Sequence, residues 1–194
     1  MGKTYDSEKE VSIEVSEDLK NEIFLFIRDW KNTRAWLMTR RKDTREIMRP
    51  VGSFINKDWS VGTITQDLHI KTTHVKNDPI TGYLWVEMDS ERYGRMDYPR
   101  NVWMQGSADL IDDEKEVKNF FDKRSAATGR GDAHPTDDTY KRMLINTKPE
   151  YIRAEGFYKD NPMRAVIIRD FSLHINLTDD EIFNTLNNER SLEQ

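Results

Sequence analysis

The sequence predicts a mainly β fold with flanking helices, its strands a meander that closes on itself. Three strand-like stretches rich in β-branched and aromatic residues precede a short helix near His69, and at least two follow it. Amphipathic helical patterns stand near both ends of the chain. With no internal repeat and no Gly/Ser/Pro-rich linker, these elements belong to a single domain spanning residues 16–194, preceded by a polar lead-in over 1–15.

Ser16 is placed to cap the first helix, EDLKNEIFLFIRDWKN, whose Leu19, Ile23, Phe24, Ile27 and Trp30 share one face. AWLMTR then reads as a strand and RKDT as a turn. EIMRPVGSF reads as a second strand, which Pro50 confines to a sheet edge or a bulge. NKD turns into a third strand, WSVGTIT. The short helix after it ends at Asn77-Asp78-Pro79. Strands follow at ITGYLWVEM and NVWMQGSADLI, joined by the loop DSERYGRMDYPR. Asp112 is expected to cap a helix, DEKEVKNFFDKR, and SAATGRGDAHPTDD (125–138) to form a loop. KRMLINTKPEYIRAEGF and MRAVIIRDFSL read as late strands around an Asp160-Asn161-Pro162 turn. Thr178 and Glu181 form a capping-box signature for a last helix, TDDEIFNTLNN.

Composition narrows the function classes. Hydrophobic residues are 36% and charged residues 34%, with five Trp, eight Phe and seven Tyr, enough bulky material for a packed core. A net charge of −5 argues against a general nucleic-acid binder. The absence of cysteine excludes disulfides, thiolate metal sites and a Cys nucleophile. Residues 1–15 lack the apolar core of a signal sequence, and no apolar run is long enough to span a membrane, so a soluble cytoplasmic protein is expected.

The stretch GTITQDLHIKTTHVKNDP carries the chemistry. It places Thr63, Thr65, His69, Lys71 and Thr72, all able to hold an anion, where a strand passes into a helix. Thr63 and Thr65 share a strand face. A helix starting near His69 aims unsatisfied backbone N–H groups at its surroundings, and such a start favours phosphate or carboxylate. Lys71 adds a full charge in the first turn. Arg49, on the preceding strand, adds a planar fork if the strands lie side by side.

The order of these pieces resembles the flavin-binding split β-barrel family that includes pyridoxamine 5′-phosphate oxidase. The matching pieces are Met48-Arg49-Pro50-Val51, Ile64-Thr65, Ile70-Lys71, Asn77-Asp78-Pro79 and GYLWVEM. They continue through the central glycine and acidic turn of NVWMQGSADLIDDEKEVKNFF. LINTKPEYIRAE resembles a strand of the family's general-stress branch, and the likeness runs from about Asp29 to Phe171. It implies an antiparallel, Greek-key-like barrel of about six strands, usually dimeric, with FMN between the subunits. On that resemblance Arg49 and Lys71 would bind the FMN phosphate, with His69 donating to it. Ile64, Thr65 and Ile70 would contact the phosphate or ribityl region. The backbone of Pro50, Val51 and Gly52 would lie against the isoalloxazine ring, and Asn101 would reach the flavin from the partner subunit. F420 and haem are the alternative cofactors.

The resemblance also has departures. His69-Ile70 stands where family oxidases often carry Ser-Arg, Phe54 stands in place of a second-strand Lys, and an Arg-x-His substrate signature is not evident near the C-terminus. The implied function is an FMN-dependent oxidoreductase passing hydride or electrons between a nicotinamide or small organic substrate and an acceptor. A flavin- or haem-binding module without turnover is the alternative. The flavin carries that chemistry, so no catalytic side chain is singled out. No metal site is expected, because His69 and His74 are five residues apart and lack further ligands. His134 falls in the 125–138 loop, and Trp59, Trp85 and Trp103 read as core residues.

Overall fold

The computed structural model describes residues 15–88, 99–129, 140–158, 161, 163–172 and 174–188. In order, the elements are α1 (Glu17–Arg28), β1 (Thr33–Arg40), β2 (Glu46–Val51), β3 (Ser53–Ile55), β4 (Val61–Gln66) and α2 (Ile70–Asn77). Then come β5 (Ile80–Glu87), β6 (Asn101–Ile111), α3 (Glu114–Thr128), β7 (Arg142–Glu155), β8 (Val166–Ile168) and α4 (Asp179–Asn188).

All ladders are antiparallel, and the main path runs β2-β1-β5-β6-β7-β4-β3, with β8 pairing β7. The two edges of that path, β2 and β3, are one stretch of chain interrupted only at Gly52. The sheet therefore curls until its edges meet, and the expected barrel results. Strands β5, β6 and β7 form a meander, and β4 returns beside β7 in Greek-key fashion. Pro50 sits on β2, opposite Trp36, on a strand that has a ladder on one side only.

Inward-facing Leu37, Tyr83, Trp85, Val102, Met104, Ile145 and Ile152 are almost completely buried and fill the barrel. Ser16 accepts from the Leu19 amide at 3.3 Å and starts α1, which buries Ile23, Phe24 and Ile27 against the barrel. The helix stops at Arg28, before Trp30, because Asp29 turns the chain and takes the amides of Lys31 and Asn32. Phe24 meets Trp59 edge-on at 6.1 Å. Trp59 lies in a turn rather than a strand, at φ 65°, a conformation a bulky side chain adopts only when packing compensates.

A second, smaller core lies under α3, where Phe54, Val117, Phe120 and Leu144 pack together. The helix starts one residue later than expected: Asp113 caps it through the Glu116 amide at 2.9 Å, while Asp112 pairs with Lys141 at 3.0 Å. It also runs through Ser125–Thr128, residues expected in the loop, and closes on left-handed Gly129. His134 and the rest of that loop lie outside the described residues, as do positions 160 and 162 of the expected turn. The capping box of α4 forms as read: Glu181 accepts from the Thr178 amide at 2.7 Å, and Thr178 accepts from the Glu181 amide at 3.1 Å.

Phe120 reaches the barrel wall only because Gly62 has no side chain; a Cβ there would sit 2.1 Å from Phe120 Cζ. Edge-on packing of Phe54 at 5.9 Å limits how far that ring can withdraw. Gly62→Ala is therefore expected to cost about 1–3 kcal/mol by overpacking. The same change in a Phe120→Leu background should cost clearly less, as a denaturant double-mutant cycle would show.

Candidate functional site

The loop from β4 to α2 is built by its own polar side chains. The hydroxyl of Thr72 donates to the Gln66 carbonyl at 2.7 Å, and the His69 amide to the same carbonyl at 3.1 Å. Asp67 accepts from the amides of Leu68 (2.9 Å) and Lys141 (3.1 Å), which ties the loop to the start of β7. These bonds fix the start of α2. His69 is its N-cap residue but makes no side-chain cap; its Nδ1 instead pairs with Thr65 Oγ1 at 3.1 Å. The amides of Ile70 and Lys71 are left to face outward from the helix start, and the first turn holds no acidic residue.

On the opposite flank of α2, Arg49 Nη1 donates to Thr39 Oγ1 at 3.2 Å, and Thr39 Oγ1 lies 2.9 Å from His74 Nδ1. Thr39 is fully buried and His74 is 5% exposed. Arg49 and Lys71, from different elements, lie near enough for the Arg49 charge to act on the Lys71 ammonium, and both are half-buried. The neighbouring carboxylates are engaged elsewhere: Asp43 with Arg41 and Arg45, Glu46 and Asp78 with Arg40. Among the described residues neither Arg49 nor Lys71 has an ion-pair partner.

The electrostatic consequences are uniform in sign. The Lys71 ammonium is held below its ordinary value by burial and then by Arg49, and burial lowers Arg49 as well. His69 is lowered by burial and then by Lys71. His74 is lowered by burial, Arg49 and Arg41, with Asp43 opposing. Lys71, Arg49 and His69 would each recover charge if an anion sat among them. Two cations, helix-start amides and an imidazole suit a phosphate, whose oxygens accept several hydrogen bonds at once.

The structure brings together Arg49, Thr65, His69, Ile70 and Lys71 around α2, though β2 and β4 are not hydrogen-bonded neighbours; α2 bridges them. Thr63 and Thr72 do not belong to the site. Thr63 bonds Tyr83 Oη at 2.9 Å inside the barrel, and Thr72 secures the loop. Ile64 packs toward the small core under α3. Pro50 and Val51 end the β2 ladder, and Gly52 is the break before β3. Asn101 lies three strands from β2 on the outer face of β6, since Val102 and Met104 point inward. Phe54 is buried against Phe120, with the Arg28 guanidinium 3.6 Å above its ring. Sequence reasoning missed Thr39 and weighed His74 only as a metal ligand, a role it set aside. No local signal pairs them, because their contact spans 35 positions.

No protein-family model matches the chain, nor does any curated protein. Solved structures do. An FMN-binding protein related to pyridoxamine 5′-phosphate oxidase, from Nostoc punctiforme, is 13% identical with a TM-score of 0.52, over 78% of this chain and 90% of that one. An F420 reductase is 16% identical with a TM-score of 0.50, over 65% and 93%. A haem-binding protein from Mycobacterium smegmatis is 14% identical with a TM-score of 0.55, over 88% and 61%. At these identities the likeness shows the fold alone, a mainly antiparallel split β-barrel with flanking helices, and that fold serves more than one cofactor.

Proposed function

We propose that this chain, which has the fold of the pyridoxamine 5′-phosphate oxidase-like FMN-binding split barrels, is a cytoplasmic FMN-dependent oxidoreductase acting as a homodimer. The observation that carries this reading is the Arg49–Lys71 pair, half-buried, without a carboxylate, beside an open helix start. A fixed dianion such as a flavin phosphate offsets that cost; F420 and haem propionates also carry anionic groups. When bound, the flavin supplies the redox chemistry. Arg49, Lys71, His69 and the α2 amides would hold its phosphate. Pro50–Gly52 would place backbone beside its ring, with Arg124 Nη1 3.7 Å from the position of a Cβ on Gly52.

The dimer reading rests on the outer face of the sheet. Pro50, Trp36, Leu84 and Trp103 form one row across β2, β1, β5 and β6. Trp36 is 38% exposed and nearby Met48 45%. A second copy covering this row would also bring Asn101, on the same face, toward the partner's flavin. Among the described residues no helix is long and apolar enough to cross a membrane.

Purified protein incubated with FMN and desalted is expected to stay yellow, to bleach with NADH or NADPH, and to run at twice its monomer mass in light scattering. Loss of all flavin on desalting would overturn the cofactor assignment, and F420 and haem would then be tried. Retained flavin that neither nicotinamide reduces would favour a binding module. The burial of Phe54, which on the resemblance stands in place of the oxidases' second-strand lysine, is the feature pointing that way.

A further inference from the structure

We infer that Thr39 and His74 are positioning residues of the anion site, locking the Arg49 guanidinium and helix α2 into one geometry. The inference rests on the reading of Arg49 and Lys71 as an anion site, not on the identity of the anion.

The hydrogen bonds run in one direction. Arg49 Nη1–H donates to Thr39 Oγ1, and the Thr39 hydroxyl, buried at the end of β1, is assigned as donor to His74 Nδ1, the one acceptor that the described residues place within its reach. His74 must then accept at Nδ1, which fixes the neutral imidazole with its proton on Nε2. A cationic His74 would reverse the second bond and add a third positive group beside Arg49 and Lys71. The surrounding charges already oppose it: Arg49 from β2 and Arg41 from the β1–β2 turn act against protonation, with only Asp43 on the other side. Thr39 sits on β1, Arg49 on β2 and His74 on α2, so one hydroxyl ties the strand that carries Arg49 to the helix that carries Lys71. Without it, Arg49 is a long flexible side chain on an edge strand, repelled by Lys71. Held, its fork is fixed before ligand arrives, which lowers the ordering cost of binding.

The test uses inorganic phosphate as probe, followed by calorimetry and by backbone amide shifts of the full chain. Thr39→Val keeps the shape and removes the hydroxyl; His74→Phe removes the acceptor. Each is expected to weaken phosphate binding about tenfold, because either change frees the Arg49 fork and returns its ordering cost to the binding step. Thr39→Ser and His74→Asn, which keep the hydroxyl and an acceptor near the Nδ1 position, should bind close to wild type. The FMN-to-riboflavin affinity ratio should fall with phosphate affinity in the Val and Phe variants. Riboflavin, lacking the phosphate, should change by less than about twofold. Imidazole nitrogen spectra should show His74 as the Nε2–H tautomer. Thr39→Val protein that binds phosphate like wild type would overturn the inference even if His74→Phe fails to fold. Wild-type protein that binds phosphate but not FMN would defeat the flavin assignment and leave this inference to the phosphate arm. Wild-type protein that binds no phosphate would overturn both.

Discussion

Lys71→Met and Arg49→Met are each expected to weaken FMN binding by about ten- to a hundredfold, and the double variant to retain none through desalting. The scale follows from a charge-assisted contact contributing about 1.5–3 kcal/mol. The diagnostic part is what happens to stability. Lys71 makes no hydrogen bond or ion pair with any described residue, and burial and Arg49 both act against its charge. Removing that charge should leave the melting temperature of the ligand-free protein unchanged or raise it, while abolishing the increase that FMN gives wild type. A structural lysine would behave in the opposite way. A Lys71→Met protein that melts clearly lower without ligand, or that keeps FMN at wild-type affinity, would sink the site assignment.

The same cluster sets a pH dependence. His69 and His74 both have folded-state values below the ordinary histidine value of about 6.5. Between the folded and the unfolded values the unfolded chain binds more protons, so ligand-free stability rises with pH there. Their contribution is complete above about pH 6.5 and is lost as the pH falls from there through the lowered folded-state values. Bound phosphate would oppose the loss at His69, because an anion beside Arg49, Lys71 and His69 favours their charged forms, while His74 stays neutral behind Thr39.

Much of this arrangement was legible in the chain. Alternation and turn residues marked β1, β5 and β6, and Ser16 and Thr178–Glu181 marked two helix starts through short-range bonds. The loop to α2 was legible for the same reason, since Thr65, His69 and Thr72 find partners within six residues. What could not be read depends on closure. The split of one strand into β2 and β3 follows from each half pairing at a different edge of the sheet. Thr63 looked like a site residue because alternation gives its face but not what that face meets; Tyr83, its partner, arrives from across the barrel. The end of α3 was misplaced because Ser125, Ala126, Ala127 and Thr128 resemble loop composition, yet none of them stops a helix before Gly129 does.

Gly106→Ala is expected to be the most damaging single-methyl change in the sheet. The β6–β7 register skips Glu150 here: Gln105 pairs with Tyr151 and Gly106 with Pro149. The strands approach so closely at this bulge that a Cβ on Gly106 would lie 2.0 Å from the Lys148 carbonyl oxygen and 3.0 Å from Pro149 Cα. Both are backbone atoms, so relief requires opening the ladder that joins β6 to β7. The glycine is required for space, since its φ lies outside the left-handed region. A loss of about 3 kcal/mol is expected, lowering the melting temperature by roughly 10 °C in a chain of this size. A Cβ on Gly52 would instead meet only the end of the Arg124 side chain, at 3.7 Å, and no left-handed φ demands glycine there. Gly52→Ala should therefore fold with near wild-type stability. If it nevertheless weakens flavin binding, the glycine at the strand break serves the ligand rather than the barrel, and unchanged flavin binding would remove Gly52 from the ring contact.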